Sequence, residues 1–404
     1  MKHLALVTLL GFFLYTSLSV QAQHYTPVTV PNGHTLEWRW VKGVKEFHLT
    51  VEEIEHEFAP GMKAKCWGYN GSTPGPVIEA IEGDRIRILV TNKLKEPTAV
   101  HWHGILLPNG MDGVEGLTQK AIQPGETFSY EFTLKQHGTF MYHSHGDDMV
   151  QIGLGAKGFF IVHPKVQTKK IDKDFAIFVD EWYVTPGTFR PDPNKMTDFN
   201  IFTFNSKVFP GTDPLVVKTG DKVRIRFADA GQESHPIHLH GYNFKIVATD
   251  GGDIPVSAQW PETTVVIFPG QTRDIEFIAN APGDWPLHCH RRHHPMNAMG
   301  HDNPNMIGVS QEGLDEKIQK LAPDYMAMGE NGMADMAEMS QHMTGPDNTL
   351  PMMGADGPFG QIGMGGMFTL LKVRDSVDAS SKTSWYHHPK GTVASPVSDH
   401  ESSL

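Results

Sequence analysis

One unit is written twice in this chain, and that repeat constrains the fold more than any other feature. "GDRIRILVTNKL" from Gly83 aligns with "GDKVRIRFADAG" from Gly220 at an offset of 137. "QPGETFSYEF" from Gln123 aligns with "FPGQTRDIEF" from Phe268 at an offset of 145. The second copy therefore holds eight extra residues, 145 minus 137. In both copies apolar and polar residues alternate over short segments, Gly and Pro punctuate them, and helical periodicity is almost absent. Alternation with a period of two marks strands with one buried face. Many such strands in series predict an all-β chain of two tandem antiparallel β-sandwich domains. Their boundaries fall at about residues 35–166 and 170–312.

Residues 313–404 differ in composition and form a Met-rich C-terminal extension. It includes the runs 326–343 and 351–368, then "FTLLKVR", which could add one more strand. The end, "ASPVSDHESSL", is polar and expected to fray. At the other end, residues 1–22 read as a secretory signal: Lys2 and His3, an apolar run, then the small residues of "VQA". A membrane anchor fits less well, because the run is short for a span and is broken by Thr, Ser and Gly. The expectation is a periplasmic or secreted protein with no membrane anchor after cleavage. That compartment permits disulfides, but the chain has only two cysteines, Cys66 and Cys289. If Cys289 binds a metal, no disulfide is possible, and Cys66 reads as a buried free thiol. The net charge of −12 argues against a nucleic acid or an anionic membrane surface as partner.

Histidine spacing carries the chemistry. Four His-x-His pairs occur: His101/His103, His143/His145, His238/His240 and His288/His290. Pairs one and three lie 137 apart, and pairs two and four 145 apart, so two pairs fall at matching places in each repeat. On a strand, residues i and i+2 share a face, so each pair presents two imidazoles together. One pair alone is most simply a half-buried strand with two histidines. Eight imidazoles from two domains suit several copper ions, whereas a zinc site needs about four ligands. Cys289 lies between His288 and His290 and so points to the opposite face of its strand. Two His, one Cys thiolate and a weak axial Met make a blue-copper electron-transfer site, and His235, Cys289, His294 and Met299 offer that set. The matching first-repeat positions are Thr98, Ser144, Met149 and Leu154, without thiolate or imidazole. One blue site per chain follows, in the second domain.

The motifs "HWHG", "HSH", "HPIHLHG" and "HCHRRHHPMNAM" occur in this order between positions 101 and 299. With them the sequence resembles the multicopper oxidases, the laccase-like superfamily built of cupredoxin Greek-key domains. The resemblance implies a type 1 copper on His235, Cys289, His294 and Met299, in preference to His293 and Met296. It implies a type 2 copper on His101 and His238. The type 3 pair would take His103, His143, His145, His240, His288 and His290. Such enzymes withdraw single electrons from a reductant and reduce O2 to water. Asp112, in "NGMDGVEG", matches an acid implicated in proton supply; the simpler reading is an Asp-Gly turn. A second acid common before the last type 1 His is replaced by "RRH".

Only 89 residues separate His145 from His235, too few for a middle domain. Two-domain relatives close the cluster between neighbouring chains, which implies a homotrimer. Copper nitrite reductases share that architecture but lack a type 3 pair and carry their type 1 site in the first domain, so nitrite reduction is disfavoured. The methionines of 326–343 are soft Cu(I) ligands set in a polar run, which favours Cu(I) as reductant. The alternatives are a general laccase acting on phenols or aromatic amines, and a non-enzymatic copper-binding protein.

Overall fold

The computed structural model describes residues 25–185, 187–295, 313–321, 348, 350 and 355–396. The expected signal at 1–22, Met296, Met299 and the methionines between 326 and 353 lie outside the described residues. Strands dominate, as the alternation predicts, and they form two sandwiches.

In the first sandwich, one sheet centres on Val44–Ala59, Arg85–Asn92 and Thr127–Thr133. The other runs Gly75–Ile81, Lys157–His163, Gly138–Ser144, Val100–His103. Phe47, Ile88, Trp102, Tyr130, Tyr142 and Phe160 fill the space between them. The second sandwich repeats the plan. Lys173–Trp182, Lys222–Asp229 and Thr272–Ile278 build one sheet; Gly283–Cys289, His235–Leu239 and Thr264–Ile267 lie in the other. Each copy holds a parallel pair in each sheet: Val44–Ala59 with Arg85–Asn92 and Gly75–Ile81 with Lys157–His163, then Lys173–Trp182 with Lys222–Asp229 and Leu215–Lys218 with Phe368–Arg374. Parallel pairing without an intervening helix requires the chain to cross between sheets. This is the Greek-key path of a cupredoxin sandwich.

Phe368–Arg374, the "FTLLKVR" stretch, does form a strand, and it lies inside the second sandwich between Leu215–Lys218 and Gly283–Cys289. The second sandwich therefore draws on residues beyond the expected boundary at 312. Its alternating partners explain why: Met367, Leu371 and Val373 join the core that Leu287 and Cys289 also line. Val28–Thr29 likewise pairs with Lys173–Trp182, so a strand preceding residue 35 belongs to the second domain's sheet.

The two sandwiches meet face to sheet. Met141, Phe159 and Ile161 of the first pack on Ala176, Phe178 and Ala228 of the second. A buried polar array crosses the same junction. Arg226 grips Asp174 through two bonds of 2.8 Å and donates to Thr139, which donates in turn to Asp274. Lys157 of the first domain pairs with Asp180 of the second, both fully enclosed. Removing one partner of such a pair leaves an uncompensated charge in low dielectric, so the junction is specified rather than adjustable.

Candidate metal centres

The strand register assembles the histidines. His101 lies opposite His143, and His238 opposite His288. Trp102 and Ser144 between the first-domain histidines turn inward, which leaves the imidazoles on the other face. His101, His103, His143 and His145 form one tetrad, with ring centroids 5.4–5.6 Å apart around His101. His238, His240, His288 and His290 form the second, with centroids 4.8–5.8 Å apart around His238. Among the described residues the imidazole–imidazole contacts of these eight rings stay within one tetrad or the other.

Backbone carbonyls fix the rings, and they do so twice in the same way. Nδ1 of His143 donates to Ser144 O, and Nδ1 of His288 to Cys289 O, both at 2.8 Å. Nδ1 of His101 donates to Asp112 O at 2.8 Å, and Nδ1 of His238 to Thr263 O at 2.7 Å. A donor on Nδ1 leaves Nε2 bare, the tautomer a metal needs. Nε2 of His143 faces Nδ1 of His103 at 3.2 Å, and Nε2 of His288 faces Nε2 of His240 at 3.1 Å. Burial, aided by neighbouring imidazoles, lowers His143 to about 3 and also lowers His103, His240 and His288. These rings are thus uncharged, ready as ligands.

Asp112 reaches His101 mainly through its carbonyl; its carboxylate Oδ1 stands 3.5 Å from Nδ1. The Asp-Gly turn is also real. A Cβ on Gly113, at φ +87°, would meet Val100 O at 1.8 Å. The turn and the contact with His101 are therefore one device, because the tight glycine brings Asp112 to the ring.

A different pocket lies on the inner side of the Cys289 strand. His235 opens its strand, Cys289 ends the neighbouring one, and His294 sits in the turn that follows. Sγ of Cys289 lies 3.9 Å from Nδ1 of His235 and 3.3 Å from Nδ1 of His294; the two nitrogens are 3.1 Å apart. All three residues are buried completely. Burial pushes the thiol up to about 12, so a cation entering this set must displace a proton. Two imidazoles and one thiolate, converging and dry, fit copper. His293 groups with Glu233 and with His294 itself, not with Cys289. Met299 lies outside the described residues.

Sequence reasoning missed Glu181 and Glu233, which accept from Nε2 of His235 and of His294, each at 3.0 Å. Glu181 comes from another strand far upstream, and no spacing rule reaches it. Cys66 is buried with Phe58, Ala64 and Trp182, and burial raises its thiol.

Two cupredoxin sandwiches, a buried pocket of two imidazoles and one thiol, and eight imidazoles in two tetrads define a copper protein. Both halves of the chain match family models described as multicopper oxidase, over residues 50–167 and 185–304. A Copper resistance protein A homolog of Pseudomonas syringae pv. tomato is 42% identical over 342 residues, covering 72% of this chain and 56% of its own length. Laccase-2 of Botryotinia fuckeliana is 30% identical over 333 residues, covering 71% of this chain and 55% of its own. The solved structure of Multicopper Oxidase mgLAC is 34% identical with a TM-score of 0.56, covering 63% of this chain and 81% of that one. The chain belongs to the multicopper oxidase family. It spans little more than half the length of those two curated relatives. The family implies type 1, type 2 and type 3 copper sites.

Proposed function

We propose that this is an exported multicopper oxidase that takes single electrons from Cu(I) and reduces O2 to water. One observation carries the reading: Cys289 closes the buried pocket with His235 and His294 on one face of its strand, while His288 and His290 belong to a tetrad on the other. His235, Cys289 and His294 would hold the type 1 copper, with Met299 as axial ligand. His101 and His238 would hold type 2, and His103, His143, His145, His240, His288 and His290 the type 3 pair. Copper in these places supplies one-electron transfer and four-electron reduction of O2. The Cys289 backbone and its flanking imidazoles give the electron a path of a few covalent bonds. Asp112, whose Oδ1 stands 3.5 Å from Nδ1 of His101, would deliver protons.

The separation of the tetrads within one chain supports a homotrimer in which each cluster joins domain one of one chain to domain two of the next. The apolar start at residues 1–22 supports export. The Met-rich run at 326–343 and the copper-resistance relative support Cu(I) over organic reductants.

The test is oxygen uptake by copper-loaded protein with Cu(I), a phenol and an aromatic amine in parallel. The expected result is the highest kcat/KM with Cu(I), lowered selectively when the methionines of 326–343 become Leu. Higher turnover with the phenol would make it a laccase. Copper binding without sustained oxygen uptake would make it a carrier.

A further inference from the structure

His235 and His294 each turn one ring nitrogen to Cys289 and the other to a carboxylate. Nδ1 of each faces the sulfur, while Nε2 lies 3.0 Å from Glu181 Oε2 in one case and 3.0 Å from Glu233 Oε2 in the other. A carboxylate oxygen can only accept here, so both rings carry hydrogen on Nε2 and leave Nδ1 bare.

The Glu181 contact is built. Its side chain is 1% exposed. Oε1 also accepts the backbone N–H groups of Gln232 and Glu233. The loop that provides them is shaped around the carboxylate: a Cβ on Gly231 would fall 2.4 and 2.5 Å from its two oxygens. Glu233 is held by Arg291 as well as by His294. Phe202 lies flat on His294, with centroids 4.0 Å apart and planes 13° from parallel. Neither imidazole reaches solvent.

We infer that Glu181 and Glu233 are positioning residues that bias the Cys289 pocket toward Cu(II), restricting its reductants to strong one-electron donors. This rests on the type 1 reading above. The physical reason has two parts. A carboxylate behind an imidazole makes that ring a more basic ligand. It also places negative charge close to the metal in a region without water, where electrostatic effects are least screened. Both effects favour the ion of higher charge. Two carboxylates, one behind each ring, act in the same direction.

The experiment is a redox titration of the blue absorption in copper-loaded wild type, Glu181→Gln, Glu233→Gln and Gly231→Ala. Gln removes the charge and keeps one oxygen acceptor. That suffices at Glu233, where Oε2 takes both His294 and Arg291, whereas Glu181 uses both of its oxygens and its Gln variant also loses an acceptor. At a fixed potential, each Gln variant should raise the Cu(I):Cu(II) ratio about tenfold, equivalent to about 59 mV for one electron. Glu181→Gln should give the larger shift, because Glu181 is 1% exposed and Glu233 21%. Gly231→Ala should move the potential the same way by displacing the Glu181 carboxylate. Glu96→Gln, at the first-repeat position matching Glu233 and exposed, should change nothing. If Glu181→Gln fails to fold or load copper, Glu233→Gln decides. Wild-type potentials in variants that keep the blue band overturn the proposal and leave the type 1 reading standing. Copper-loaded wild type without a blue band overturns that reading instead.

Discussion

The Cys289 pocket and its counterpart in the first domain stand on the same frame and are completed in different ways. Ile237 pairs with Cys289 across two strands of the second domain; Val100 pairs with Ser144 across the matching strands of the first. In the second domain a thiol and two imidazoles converge. In the first, Gln151 closes the space. Its Oε1 accepts from Thr98 Oγ1 at 2.7 Å and from Ser144 Oγ at 2.5 Å, and its Nε2 donates to Pro97 O at 2.9 Å. Thr98, Ser144 and Gln151 are all buried. The first-domain pocket satisfies its own polar atoms, so it has no use for a metal. The second leaves a buried thiol pushed up to about 12, which releases its proton to solvent only when a cation takes that proton's place on the sulfur. A common scaffold thus permits a metal site, and the filling side chains decide whether one exists.

The substitution that most directly erases this difference is Cys289→Ser, which gives the second pocket the residue found in the first. It should abolish the intense blue absorption and lower oxidase turnover by several orders of magnitude, since the path from pocket to tetrad loses its sulfur. The tetrads use other side chains, so their copper should remain. Absorption spectra, copper content and oxygen uptake on one preparation check all three. A surviving blue band would remove Cys289 from the pocket.

How far the sequence announced this comparison depends on which side of it is considered. The tetrads were readable because strand alternation and register are local: His101 and His103 share a face whatever the rest of the chain does. Cys289 was readable as the inward residue between two outward ones. The first-domain filling was not. Subtracting offsets pointed to Met149 and Leu154, yet Met149 is 46% exposed and Leu154 is ordinary core. The segment after His145 coils into the short helix Asp148–Gly153, which turns Gln151 inward instead. Offset arithmetic assumes equal backbone paths, and the helix breaks that assumption. Glu181 was hidden for a related reason. It reaches His235 across the sandwich, and contacts between sheets leave no periodic trace. The strand Phe368–Arg374 was visible as a strand, but nothing in its pattern named its neighbours.

Gln151→Leu tests the other half of the comparison with a smaller effect. Leu matches the size but cannot accept from Thr98 or Ser144, so two buried hydroxyls lose their acceptor. Each unmet group costs about 1–3 kcal/mol, and relaxation toward nearby carbonyls offsets part of it. The expected loss is about 2 kcal/mol of folding stability, measured by denaturant unfolding of the apo protein, with the blue absorption unchanged after copper loading. No loss of stability would mean that Gln151 merely occupies space.

The smallest effect is expected from running the first substitution backwards, Ser144→Cys. If sulfur in this frame were enough, the first domain would turn blue as well. It should not. Thr98 stands where the second domain has His235, and the side chain that the following helix turns inward is Gln151, so no imidazole converges on the new thiol. Gln151 would lose a strong hydroxyl donor and keep the bond from Thr98. A thiol is a weaker donor, so the cost is about 1 kcal/mol. The copper content and the blue absorption per chain should match wild type within error. An added blue band would mean that backbone frame and thiolate alone recruit the metal, and the two histidines would then be tuning the site rather than making it.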